Sequence, residues 1–228
     1  AGVVGTPGNG PVGVSRNGER TAPDAIRLQQ VLADCAGSGV ERLALEVSSS
    51  ALRQRQFETV QFDAAIFTGS GNCQPNGRSG LTGHVDARRL LFTDYAPSFA
   101  VINHDDRLGR RWFRQLNTGM QMLSFGLEKG AELRAEIQNT YTAGTSFRID
   151  GPWGSERVYT GLRGEANLRC LLATAATLAL LGMPWHRVLH QLEVMEPQPG
   201  RSQHPRTESG RAAAVGRAHQ PDILEVAA

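Results

Sequence analysis

Apolar positions along this chain switch between helical and extended spacing. Leu28, Val31, Leu32 and Cys35 recur every three to four residues, which predicts a helix opening at Thr21-Ala22-Pro23-Asp24 and stopped by Gly37 and Gly39. Residues 43–47 form a short apolar run interrupted by Glu46 and read as a buried strand, and residues 62–67 read as a second. The glycine-rich stretch 69–83 reads as a mobile loop, and residues 88–92 as helical. Residues 99–103 are a third strand, 106–116 a helix and 120–125 a fourth strand. Apolar and polar positions then alternate over residues 133–160, with turn signals at Ala143-Gly144 and from Gly151 to Gly154, predicting β-hairpins. The clearest helix covers residues 167–181, where Leu168, Leu171, Leu172, Ala175, Leu178 and Ala179 share a face and Gly182 ends it. Pro184 opens another, to about Leu192. The glycines of residues 1–20 suggest a tight loop or a disordered lead-in, and residues 212–215 the start of a strand.

Alternating strands and helices imply an α/β fold with a mainly parallel sheet flanked by helices, plus a small β-hairpin region. Pro197-Gln198-Pro199-Gly200 marks a boundary, giving one domain over residues 1–199 and a remainder, 200–228, too short to fold alone.

Composition narrows the function classes. The formal net charge is only +2, which argues against a nucleic acid held by bulk charge. The longest apolar stretch is too short to cross a bilayer, so no membrane partner is expected. Cys35, Cys73 and Cys170 are odd in number and form no C-x-x-C, which suits a reducing, cytoplasmic compartment without structural zinc. Lys129 is the only lysine among the 24 lysines and arginines, and Gly130 follows it, so no G-x-x-x-x-G-K-[ST] phosphate loop occurs in the sequence. His186 and His190 have metal-pair spacing but no evident third ligand. Asp105-Asp106 suit either a ligand contact or helix capping, and Ser48–Ser50 either anion contact or an N-cap.

Seven segments, in order, carry a resemblance: residues 19–29 (ERTAPDAIRLQ), 45–52 (LEVSSSAL), Phe67-Thr68, 100–111 (AVINHDDRLGRR), 164–173 (GEANLRCLLA), Gly200-Arg201 and 218–224 (AHQPDIL). Together they resemble the Mur ligases, most closely the branch that uses ATP to add the third amino acid of the peptidoglycan stem peptide, the UDP-N-acetylmuramoyl-tripeptide synthetases. The resemblance implies that residues 1–199 are most of the central ATP-binding domain without its phosphate-loop strand, and that residues 200–228 open the domain that receives the amino acid.

The resemblance also assigns residues. Asn103, Asp106, Asn167, Arg201 and His219 match positions lining the nucleotide. Ser48, Ser49, Gln54 and Thr21 match positions meeting the UDP-muramoyl peptide, and Glu46 matches a magnesium ligand at a strand end, or else is a paired rim carboxylate. Other matched positions have changed. The metal-holding histidine is Gln74, and the carbamylated lysine that serves as an anionic metal ligand is Arg88, which cannot become an anion. The second asparagine of N-x-x-N is Cys170, and G-R-M-E reads Gly200-Arg201-Ser202-Gln203. The related family uses ATP and magnesium; for this chain the expectation is no catalysis, no retained cofactor and an unidentified protein partner. Each lost charge-assisted hydrogen bond removes roughly 1.5–3 kcal/mol, and phosphoryl transfer rests almost wholly on such positioning. Two alternatives stay open: one part of an active ligase completed by further segments, or a module that binds a nucleotide or a UDP-sugar peptide without catalysis.

Overall fold

A computed structural model of the chain describes residues 1–13, 24–70, 81–116 and 119–196, with 81–86 described by their backbone only. The chain divides into two compact units, one reaching to Phe62 and taking in the helix and turn that end at Ala96, the other holding Asp63 to Ser70 and the chain from Pro97 onward.

In the first unit, β1 (Gly2–Gly5) and β2 (Gly8–Pro11) form an antiparallel hairpin, and β3 (Leu43–Leu45) pairs parallel on the other side of β1. The opening glycines therefore build strands, not a loop. Without side chains they pack tightly: a Cβ on Gly2 would sit 3.1 Å from Val40 and 3.4 Å from the Cys35 sulfur. Val4 supplies the buried apolar side chain of the hairpin. Helix α1 (Ala25–Gly37) buries Leu28, Val31 and Cys35, and the Asp24 carboxylate caps it by accepting from the Arg27 amide at 2.8 Å. Strand β3 is half exposed rather than buried, because it is the edge of its sheet and has one neighbour. Next come α2 (Ser49–Arg53), capped by the Ser48 hydroxyl, and α3 (Leu81–Thr93), which packs on α2. Helix α3 starts well before residue 88. A glycine in its first turn costs about 1 kcal/mol, and burial of Ala87, Leu91 and Phe92 offsets that. Phe57, Phe62 and Tyr95 meet edge to face beside it.

The second unit is a six-stranded sheet in sequential order. Strands β4 (Ala64–Phe67), β5 (Phe99–Asn103), β6 (Gln121–Gly126) and β7 (Leu133–Tyr141) run parallel, and β8 (Gly144–Gly151) and β9 (Gly154–Thr160) continue antiparallel from β7. Helix α4 (Arg107–Gln115) lies against β5 and buries Trp112, whose ring packs on Phe67 at 4.6 Å. Helices α5 (Glu165–Leu180) and α6 (Trp185–Val194) close the core: Leu168, Leu171, Leu172, Ala175 and Ala176 of α5 and Val188 and Leu192 of α6 meet Phe125, Phe147, Ile149 and Val158. Two buried hydroxyls fix the approach to α5. Thr145 donates to the Leu162 carbonyl at 2.9 Å, and Thr160 accepts from the Leu162 amide at 3.3 Å. No helix among the described residues is long and apolar enough to cross a membrane.

Candidate functional site

Parallel strands deliver their connecting loops to one edge, and in open α/β sheets ligands bind outside the carboxyl ends of the strands. In the second unit that edge gathers Thr68 to Ser70 after β4, His104 to Asp106 after β5, and Leu127-Glu128 after β6. Asp106 caps α4, its Oδ1 accepting from the Leu108 and Gly109 amides at 2.8 and 3.1 Å. Its Oδ2 accepts from the Ser70 amide at 2.7 Å and the Ser70 hydroxyl at 2.6 Å. Burial acts to raise the Asp106 pKa, but the bonds from Ser70, Gly109 and Leu108 outweigh it and hold the carboxyl below its ordinary value.

Asn103 is buried, and both ends of its amide are engaged. Its Nδ2 donates to the Thr68 carbonyl at 2.6 Å, and its Oδ1 accepts from the Asp105 amide at 2.9 Å. Gly109 is required beneath it, since a Cβ there would lie 2.0 Å from the Asn103 carbonyl oxygen. Asp105 turns the other way. Its carboxylate accepts from the Leu127 amide at 3.0 Å, the Glu128 amide at 2.9 Å and Arg169 Nε at 2.7 Å. Burial would raise this carboxyl too; the Leu127, Glu128 and Arg169 bonds bring it below the ordinary value. Asn167, in the first turn of α5, donates to the Arg163 carbonyl at 2.7 Å.

In the first unit, Glu46 follows β3 and turns back on the β1–β2 turn. Its carboxylate accepts from the Thr6 amide at 2.8 Å and from the Thr6 hydroxyl. Gly5 makes the approach possible, because a Cβ there would lie 2.6 Å from Glu46 Cγ. The Ser48 hydroxyl accepts from the Ala51 amide at 3.1 Å, as an N-cap. Gln54 bonds the Ser50 hydroxyl at 3.5 Å and accepts from Gln56 at 2.7 Å, and Ser49 opens α2. Thr21, Gln74, Arg201 and His219 lie outside the described residues.

Glu46 accepts from Thr6, Arg88 stands at the position of the anionic ligand, and among the described residues no group of three or more His, Cys, Asp or Glu is placed to hold a metal. The second unit brings Asn103, Asp106 and the loop after β4 together, and the first unit holds Glu46, Ser48, Ser49 and Gln54. Sequence reasoning missed Thr6, Ser70 and Arg169. Their partners lie 40, 36 and 64 residues away, and no local spacing announces such contacts.

The comparisons with known proteins agree with this architecture. The family model described as "Mur ligase middle domain" matches residues 1–178. The UDP-N-acetylmuramoyl-L-alanyl-D-glutamate--2,6-diaminopimelate ligase of Ralstonia nicotianae is 33% identical, over 98% of this chain and 45% of its own length. The ligase of the same name from Vibrio vulnificus is 32% identical, over 100% of this chain and 46% of its own length. This chain thus spans less than half the length of these relatives. A solved structure of a ligase of that name superposes with a TM-score of 0.83 at 27% identity, covering 98% of this chain and 46% of the other. A MurF structure from Acinetobacter baumannii shares the fold, with a TM-score of 0.65 at 21% identity over 75% of this chain. With a family model covering most of its length and relatives aligned over nearly all of this chain, the chain belongs to the Mur ligase family, whose middle domain its first 178 residues match.

Proposed function

We propose that this chain is a non-catalytic relative of the ligase that adds the third residue of the peptidoglycan stem peptide. One observation supports this most: the carboxylates at the metal and nucleotide positions, Glu46 and Asp106, are engaged as internal clasps on Thr6 and on Ser70 with the α4 amides. These bonds give both carboxylates a structural task, and each contributes roughly 1.5–3 kcal/mol. Arg88, at the position of an anionic ligand, places a positive charge where the chemistry needs a negative one. The test is amide ligation by the purified chain with ATP, magnesium, diaminopimelate and UDP-muramoyl dipeptide. Absence of ADP release and of tripeptide product is expected; turnover would refute the reading.

A second reading is favoured by the asparagines at the carboxyl edge. Asn103 and Asn167 match nucleotide-lining positions, and with their amides bonded to Thr68, Asp105 and Arg163 they fix the backbone of an edge that takes a nucleotide without ligation. Thr21, Ser48, Ser49 and Gln54 are the candidates for a UDP-muramoyl peptide on the same terms. Protection of the Asn103 and Asn167 segments from hydrogen exchange by ADP without magnesium supports this reading, and unchanged exchange refutes it. A third reading, part of an active ligase completed by further segments, is favoured by the coverage of under half of the relatives' length. It predicts ligation when this chain is supplied as part of the longer protein.

A further inference from the structure

The outer face of the β7–β9 hairpins has no part in the site described above. Alternation along these strands sends Leu133, Ala135, Phe147, Ile149 and Val158 into the core with α5 and α6. Their neighbours Glu136, Arg148, Arg157 and Tyr159 turn the other way and are exposed. Register sets Glu136 opposite Arg148, and Arg148 opposite Arg157. Arg148 is matched by Asp150 at 2.9 Å, and Arg134 by Glu136 at 3.1 Å. Arg157 faces a like charge and has no carboxylate within ion-pair reach among the described residues. Like charges directly opposite destabilise a strand pair, so the fold leaves this one cation uncompensated. Beside it, Tyr141 is 50% and Tyr159 46% exposed, with their rings 6.4 Å apart. The bare Gly144 admits the Tyr159 hydroxyl across β8, since a Cβ there would lie 2.9 Å from it. Strand β9 also ends the sheet. It pairs only with β8, so alternate amides and carbonyls along it point away from the sheet.

We propose that β9 receives an extended acidic segment of a partner protein, which adds antiparallel as a further strand. Backbone hydrogen bonds to the open edge supply affinity, and the alternating side chains of β9 supply selection. A carboxylate opposite Arg157 relieves its repulsion with Arg148. Two positions earlier in the partner, on the same face, an aromatic residue opposite Tyr159 extends the tyrosine pair. An apolar residue lies between them, opposite Val158, and a basic residue follows the carboxylate, opposite the exposed Glu156. The partner segment therefore reads aromatic, apolar, acidic, basic. A second copy of the chain fits less well, because a symmetric antiparallel pair centred in the exposed half of β9 sets Glu156 on Glu156 or Arg157 on Arg157. A nucleic acid also fits less well. Arg134 and Arg148 are matched by Glu136 and Asp150, which leaves one free cation on this face, enough for one carboxylate but not for a run of phosphates.

The experiment uses the whole chain and a fluorescein-labelled peptide with blocked ends, Thr-Tyr-Val-Glu-Lys-Thr, read by fluorescence anisotropy. The same peptide with lysine in place of glutamate and a labelled uridine decamer are titrated beside it. The glutamate peptide is expected to bind about fivefold tighter than the lysine peptide. Arg157→Glu should reverse that preference, and amide exchange along β9 should slow in the complex. Arg157→Ser should abolish the preference without reversing it, and it is read alone where Arg157→Glu yields too little folded protein. Absence of peptide binding, equal affinity of wild type for the two peptides, or a preference that the Arg157 variants leave unchanged overturns the proposal. Binding of the uridine decamer alone overturns it as well, and so does a dimer of the free chain in sedimentation that Arg157→Glu alters.

Discussion

At the residue scale, each carboxylate singled out by its sequence position has a structural task. Asp106 serves four donors from two segments, and Asn103 spends both ends of its amide on neighbouring loops. Asp106→Asn puts an amide NH2 against one of those donor pairs and is expected to cost about 1.5–3 kcal/mol in urea unfolding. The pH dependence follows from the lowered folded-state pKa values of Asp105 and Asp106. Their contribution is fully present above the unfolded carboxyl value of about 3.9 and is lost as pH falls through the lower folded values. The denaturation midpoint should therefore drop below about pH 4, and the drop should be shallower in Asp106→Asn. Ala96 offers the opposite case. It holds φ 38°, in the left-handed region, and is exposed. Ala96→Gly relieves that strain and should raise stability by about 0.5–1 kcal/mol in thermal unfolding.

At the element scale, the reach of the sequence followed the balance of local and distant forces. Strand β5 was legible to the residue, and α1, α4, β6, α5 and α6 to within a few, because each has a strong apolar period and its own caps or breakers. The β7–β9 hairpins were legible from alternation and from Gly144 and Gly154. The β1–β2 hairpin was not, since its glycines carry no period and its order comes from Val4, Cys35 and Val40 packing against bare backbone. The start of α3 was hidden by glycines that tertiary packing overrides. The junction of β5 with α4 gives a sharp test. Gly109→Ala places a methyl group 2.0 Å from the Asn103 carbonyl oxygen, so α4 must shift off β5 and break the Asp106–Ser70 clasp. A loss of several kcal/mol is expected, at the upper end of about 1–3 kcal/mol for overpacking or beyond, together with increased exchange of the Ser70 amide.

At the scale of the whole molecule, family membership was legible because seven segments keep their order, although each alone is weak. The candidate site was only partly legible. Sequence position named Asn103, Asp106, Asn167 and Glu46 as candidates, but whether a carboxylate stands open or is tied depends on contacts with Thr6 and Ser70 that only the fold creates. Magnesium chemistry needs open carboxylates arranged around phosphate oxygens. Glu46 holds a turn and Asp106 a helix end. The most direct measurement is a calorimetric titration of the purified chain with ATP, with and without magnesium. The same affinity in both conditions, within about twofold, agrees with a Mur ligase relative that has lost its metal chemistry. Micromolar binding that appears only with magnesium would contradict it.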